Sequence, residues 1–167
     1  LNVFITIVFI VNSLVFAETQ QEEQQKNDLI FAEKLAEFSS TGAVNFFDIA
    51  DDIIQGIINT SASKSIQHQA TLLLGKLRRF QAFTEKDIDK RIQLLDKSIE
   101  IFNRFITENP GASPDIKFEV AELLYEKALF ITNNIKFEAD IIKKQSLIEE
   151  AGKAYRRTSE YLSEVLL

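Results

Sequence analysis

Leu94 to Leu129 reads LLDKSIEIFNRFITENPGASPDIKFEVAELLYEKAL, and this stretch decides the fold. Leading into and through it, Ile88, Ile92, Leu95, Ile99, Phe102 and Ile106 step by four, three, four, three and four. A helix completes a turn in about 3.6 residues, so this spacing puts all of them on one face; the period of two that a strand needs does not fit. Asn109-Pro110-Gly111 ends the pattern, and Ser113-Pro114-Asp115 restarts it. The serine is a natural N-cap, the proline occupies a position where no amide hydrogen is required, and the acid faces the positive end of the new helix. Ile116, Val120, Leu123, Leu124 and Ile131 form the next stripe, which closes around Asn133-Asn134. Two helices joined by so short a turn run antiparallel.

The same period recurs on either side of this stretch. Leu29, Ala32, Ala36 and Phe38 predict a first helix that ends near Thr41-Gly42, where glycine can adopt the left-handed conformation that closes a helix. Phe46, Phe47, Ile49, Ala50, Ile53, Ile54, Ile57 and Ile58 predict a second, very apolar helix. Across the polar Asn59–Ser63 connection, Ile66, Ala70, Leu73, Leu74 and Leu77 predict a third. Thr84 followed by Asp87 reads as the N-cap of the fourth helix, with an acid in its first turn. The sixth helix carries Ile141, Ile148, Ala151, Tyr155, Leu162 and Val165 and reaches Leu167 with no stop signal, so the chain is expected to continue. With few glycines and prolines and no alternating stretch, the expectation is an all-α domain of helical hairpins over residues 27–167.

Ahead of that domain, Leu1 to Ala17 (LNVFITIVFIVNSLVFA) carries no charge, ends in Val15-Phe16-Ala17 and gives way to Glu18. Small residues at a cleavage site after an apolar run are the mark of an export signal. A spanning helix needs about 20 apolar residues, a length this run barely approaches, so cleaved signal and uncleaved membrane anchor are the two readings. Either way the protein is expected to be exported, to the periplasm, cell envelope or exterior, and to meet membrane only if residues 1–17 stay attached. Glu18–Lys26 (ETQQEEQQK) reads as a polar linker. The chain has no cysteine, so no disulfide supports it outside the cytoplasm and packing must hold the helices together. A net charge of −6 argues against a nucleic-acid partner, whose phosphates call for a basic face.

The hairpin of Leu94–Leu129 resembles the tetratricopeptide repeat (TPR) family. Paired aromatics Phe102 and Phe105 run into Asn109-Pro110, and the following helix sets a small residue, Ala121, beside Leu124 and Tyr125. Asp28 to Ile58, with FAEKL, a glycine turn and FFDIADDII, is similar in outline, although the family's tryptophan and Gly–Tyr pair are not reproduced. The resemblance implies hairpins stacked as a right-handed α-solenoid, because each buries its apolar face only against its neighbours. It implies a non-catalytic scaffold that takes a partner protein's helix or extended segment into a concave groove, and it carries over no ligand residue. Two other readings stay open: a helical arm of a larger envelope enzyme or transport assembly whose functional domain lies beyond residue 167, and a ligand-binding bundle with an enclosed apolar pocket.

No reaction chemistry is legible, and no catalytic residue, metal or cofactor is expected. His68 is the only histidine, and without cysteine a zinc site would need three carboxylates around it. Asp51-Asp52 and Glu149-Glu150 are adjacent pairs, which a helix turns about 100° apart, so they read as solvated acidic edges. The candidate partner-binding residues are Arg78, Arg79, Phe80 and Phe83. Guanidinium groups grip carboxylates of an acidic partner, and aromatics dominate contact energy in grooves. The competing readings are that Arg78-Arg79 and Arg156-Arg157 pair with nearby glutamates on the same helix, such as Glu160, and that the phenylalanines fill seams between hairpins.

Overall fold

The computed structural model describes the backbone of residues 2–166 and the side chains of residues 19–165. Six α-helices follow one another: α1 (Asn2–Ser40), α2 (Phe47–Thr60), α3 (Lys64–Thr84), α4 (Ile88–Glu108), α5 (Pro114–Asn134) and α6 (Ile141–Leu166). A short 3-10 turn, Ile135–Phe137, links α5 to α6, and no strand occurs among the described residues. Each helix packs on the next in sequence, and α1 also packs on α3.

The turn chemistry is local and readable. Gly42 has φ of +78°, and its N–H donates to the Ser39 carbonyl at 3.0 Å, closing α1 in the left-handed conformation that glycine adopts without penalty. Ser113 caps α5, its Oγ accepting from the Asp115 N–H at 3.3 Å, with Pro114 in the first turn. Asp140 caps α6, its Oδ1 accepting from the N–H groups of Ile142 at 2.8 Å and Lys143 at 3.0 Å. The cap of α4 differs from expectation. Thr84 is the last residue of α3, where its hydroxyl donates back to the Gln81 carbonyl at 3.0 Å. Asp87 is the cap instead, accepting from the Lys90 N–H at 2.9 Å; a carboxylate is the better acceptor at the positive helix end.

The core is laid out in series. Leu29, Ala32 and Ala36 of α1 meet Ala50, Ile54 and Ile57 of α2 and Ile66, Leu74 and Leu77 of α3. A second cluster joins Ala82, Leu95, Ile99 and Phe102 to Val120, Leu123, Leu124 and Ala128 of α5 and to Ala154 of α6. Ile92, Ile131, Leu147 and Ala151 form a third. Between α3 and α4 the chains come unusually close: Gly75 lies against the Phe102 ring, and Ser98 Oγ donates to the Gly75 carbonyl at 2.8 Å.

Two expectations are corrected here. Residues 18–26, read as a linker, lie inside α1. Gln25 is buried, and its Oε1 accepts from Ser61 Oγ at 2.8 Å, while Gln67 Nε2 donates to the Ser61 carbonyl at 2.7 Å. That polar relay ties the stretch to the α2–α3 connection. The second correction concerns α6. Its buried residues are Leu147, Ala151, Ala154 and Thr158, whereas Ile141, Ile148 and Tyr155 are exposed. Alanines explain the choice: Ala151 and Ala154 face an α5 that itself buries Ala121 and Ala128, and small side chains let the two axes approach closely. The expected export segment, Leu1–Ala17, falls outside the residues whose side chains are described; among those that are, no helix is long and apolar enough to cross a membrane.

Candidate partner-binding surface

Arg78 and Arg79 sit in the last turns of α3, about 100° apart around the axis, and so reach different neighbours. Arg78 Nη2 donates to Asp51 Oδ2 of α2 at 2.7 Å, and its Nη1 donates to Gln81 Oε1 at 3.0 Å. Arg79 turns the other way, toward α5. Its Nη1 donates to Glu119 at 3.0 Å and to Glu122 at 3.4 Å, its Nε donates to Glu126 at 3.2 Å, and its Nη2 also bonds Glu126. Burial works against the Arg79 charge, but the hydrogen bond and charge of Glu126, helped by Glu119 and Glu122, outweigh it and raise the guanidinium pKa. Both arginines are thus held by carboxylates of their own chain, from helices other than the one that carries them. Asp51, read as part of a solvated edge, is half-buried in this contact, with Oδ1 lacking a partner among the described residues.

The two phenylalanines separate likewise. Phe80 packs against the first core cluster. Phe83 is exposed, with the Arg79 guanidinium 5.9 Å from its ring centroid. It borders a cavity of about 220 Å3 that Leu95, Leu129, Phe130 and Arg91 also line. Arg91 lies over the Phe130 ring at 4.2 Å, its Nε buried without a hydrogen-bond partner among the described residues. Burial lowers its pKa, with only the charge of Glu126 opposing.

Beside this cavity α5 leaves large apolar groups in water. Phe118, Tyr125 and Leu129 are 46 %, 49 % and 41 % exposed and recur at spacings of seven and four, which is one helix face. Tyr125 meets Tyr155 of α6 edge-on, ring centroids 6.0 Å apart. Phe83, Leu129, Tyr125 and Phe118 therefore border the triad of glutamates around Arg79, an apolar strip with an acidic margin. Of these α5 residues the sequence marks only Tyr125, and that for the repeat resemblance, not as part of a binding surface. The available signal was a second apolar stripe on α5, offset from Val120, Leu124 and Ile131.

Elsewhere, Lys127 is nearly buried between α4 and α6, its Nζ 2.6 Å from Asp96 Oδ1 and 2.5 Å from Glu150 Oε1. Glu150 is thereby taken out of the solvated pair that Glu149-Glu150 suggested. His68 stands edge-on to Phe105, centroids 5.1 Å apart, and serves packing there. Arg156 and Arg157 have no ion pair among the described residues. No group of three or more His, Cys, Asp or Glu side chains among the described residues could hold a metal ion. No protein-family model, characterised protein or solved structure matches this chain.

Proposed function

We propose that this chain is an exported, non-catalytic scaffold for protein contacts, its hairpins α1/α2, α3/α4 and α5/α6 stacked as a TPR-like right-handed solenoid. Three features support the stack: helices contact their sequence neighbours, α1 rests on α3, and the Arg79 side chain reaches from α3 to the glutamates of α5. The charge-free run Leu1–Ala17 supports export. The observation that carries the binding role is the strip of Phe83, Phe118, Tyr125 and Leu129. Scattered exposed apolar residues are ordinary, but here Phe83 and Leu129 border one cavity, and Tyr125 and Phe118 continue the Leu129 face along an acidic cluster, a surface that a partner helix or extended segment can cover. The glutamates that bind Arg79 keep part of their surface in water and would favour a partner with basic residues beside its apolar anchors.

The test is site-specific cross-linking in the native cell, with a photoreactive residue replacing Phe118. A single dominant adduct that disappears when Leu129→Glu is added is the expected result, because Leu129 lies on the same face. An adduct indifferent to Leu129→Glu, or none with the protein folded and present, would remove the strip as the binding surface.

A further inference from the structure

The exposed side of α6 carries a second seam. Ile141, Ile148, Tyr155 and Leu162 recur every seven residues, and Gln145, Gly152 and Ser159 lie between them, so the whole series steps by four and three. Residues at such spacing line the contact when one helix packs on another; here one row, Ile141, Ile148, Tyr155 and Leu162, is apolar, and the row between is polar or small. Ile141, Ile148 and Tyr155 are 82 %, 49 % and 38 % exposed, while the core contact is made by Leu147, Ala151, Ala154 and Thr158 on another side of the helix. From Ile141 to Leu162 the seam is about 31 Å long at 1.5 Å per residue.

We infer that this seam pairs α6 with α6 of a second copy of the chain, antiparallel, about a two-fold axis at Gly152. The pattern is self-complementary about that residue. Reversing the helix sets Gln145 opposite the partner's Ser159, Ile141 near the partner's Leu162, and Ile148 near the partner's Tyr155. Gly152 then faces its own counterpart at the closest approach, and among the described residues a Cβ there would meet only the mobile end of the Arg156 side chain, Nη1 at 3.6 Å.

Charge selects both the occupant and its direction. Glu149 and Arg156 are exposed on one edge of the seam, seven residues apart, and neither forms an ion pair among the described residues, although Gln145 donates weakly to Glu149 at 3.4 Å. The antiparallel pair brings each Glu149 to the partner's Arg156, twice by symmetry. A parallel pair would instead set that edge against the partner's opposite edge, so Glu149 and Arg156 would not meet.

The chain contains no cysteine, so single-cysteine variants of the full chain read the geometry directly. Axes 8–10 Å apart put facing Cα atoms at roughly 3.5–5.5 Å, overlapping the range of about 4.4–6.8 Å that a disulfide spans. Two Ser159 residues would lie about 21 Å apart along the axis. Under mild oxidation, Gly152→Cys should form a disulfide dimer at least about tenfold faster than Ser159→Cys, by the same geometry. Ser159→Cys mixed with Gln145→Cys should link to each other. Adding Ile148→Glu, at an exposed site, should abolish the Gly152→Cys dimer while the circular dichroism stays unchanged. Equal self-linking at both positions, as in a parallel pair or in aggregation through residues 1–17, would overturn the inference. So would the absence of linking in folded protein, which would assign the seam to a different helix.

Discussion

Replacing Gly75 with alanine tests how α3 and α4 are held together. A Cβ built at Gly75 would lie 2.8 Å from both Cε2 and Cζ of Phe102 and 3.2 Å from Cδ2. Carbon atoms pack at about 3.5–4.0 Å, so the ring must retreat by roughly 0.7 Å. It has little room, being 2 % exposed among the buried residues of α3, α4 and α5, and Ser98 pins the same turn through its bond to the Gly75 carbonyl. Overpacking of this kind costs about 1–3 kcal/mol, while alanine recovers up to about 1 kcal/mol of helix propensity. Gly56 supplies the internal reference. It is exposed in α2, with nothing within 4 Å of a built Cβ, so Gly56→Ala should gain the propensity term alone. Urea unfolding followed by far-ultraviolet circular dichroism should therefore separate the two variants by about 1–3 kcal/mol, with Gly56→Ala above the wild type. In thermal melts, a chain of this size moves about 2–4 °C per kcal/mol. If the two alanine variants prove equally stable at unchanged m-value, the claim that glycine sets this helix approach is wrong.

Arg79→Gln leaves three carboxylates of α5 facing one another without their cation. It should destabilise by about 1–3 kcal/mol, between the worth of exposed and buried pairs, and the deficit should shrink in 1 M salt; a salt-independent deficit would mean lost packing, not charge. Glu138 is held below its ordinary value of 4.5, first by the Asp140 N–H and then by Lys143. A depressed carboxylate pKa stabilises above the unfolded value and is lost as pH falls through the folded one, so the link between α5 and α6 should stay ordered at pH 5 and loosen only below 4.5. A carboxyl titration by NMR with its midpoint at or above 4.5 would count against that bond.

What was legible in the sequence, and what was not, divides along a physical line. Ile92, Leu95, Ile99 and Phe102 are all buried, as are Val120, Leu123, Leu124 and Ile131, because a 3.6-residue period is imposed by each helix alone. The Asn109–Ser113 turn and the Gly42 closure are local for the same reason. A period, however, says which residues share a face and leaves open which face meets a neighbour. On α6 two apolar stripes compete, and the smaller residues won because they allow closer approach to the alanines of α5. Arg79 meets glutamates 40 to 47 residues away, and Gly75 meets Phe102 on the next helix; both depend on how axes cross, which no single stretch encodes. The α5 strip was hidden by the same logic, since its second stripe looks like core until the packing leaves it outside.

The polar contacts add what apolar stripes lack. Burial of hydrocarbon is non-directional, so two leucine- and isoleucine-lined helices could slip by a turn and keep most of it. Lys76–Glu33 joins α3 to α1, Arg78–Asp51 joins α3 to α2, Arg79 joins α3 to α5, and Lys127 joins α5 to both α4 and α6. A one-turn slip of about 5.4 Å would carry each carboxylate beyond ion-pair reach of its cation. These links need not contribute much net stability to matter, because the desolvated ones lose in hydration much of what they gain in attraction. Their effect is to penalise every register but one. In a chain without disulfides, whose core runs in series from helix to helix, that selection keeps Phe118, Tyr125 and Leu129 on a common surface with Phe83.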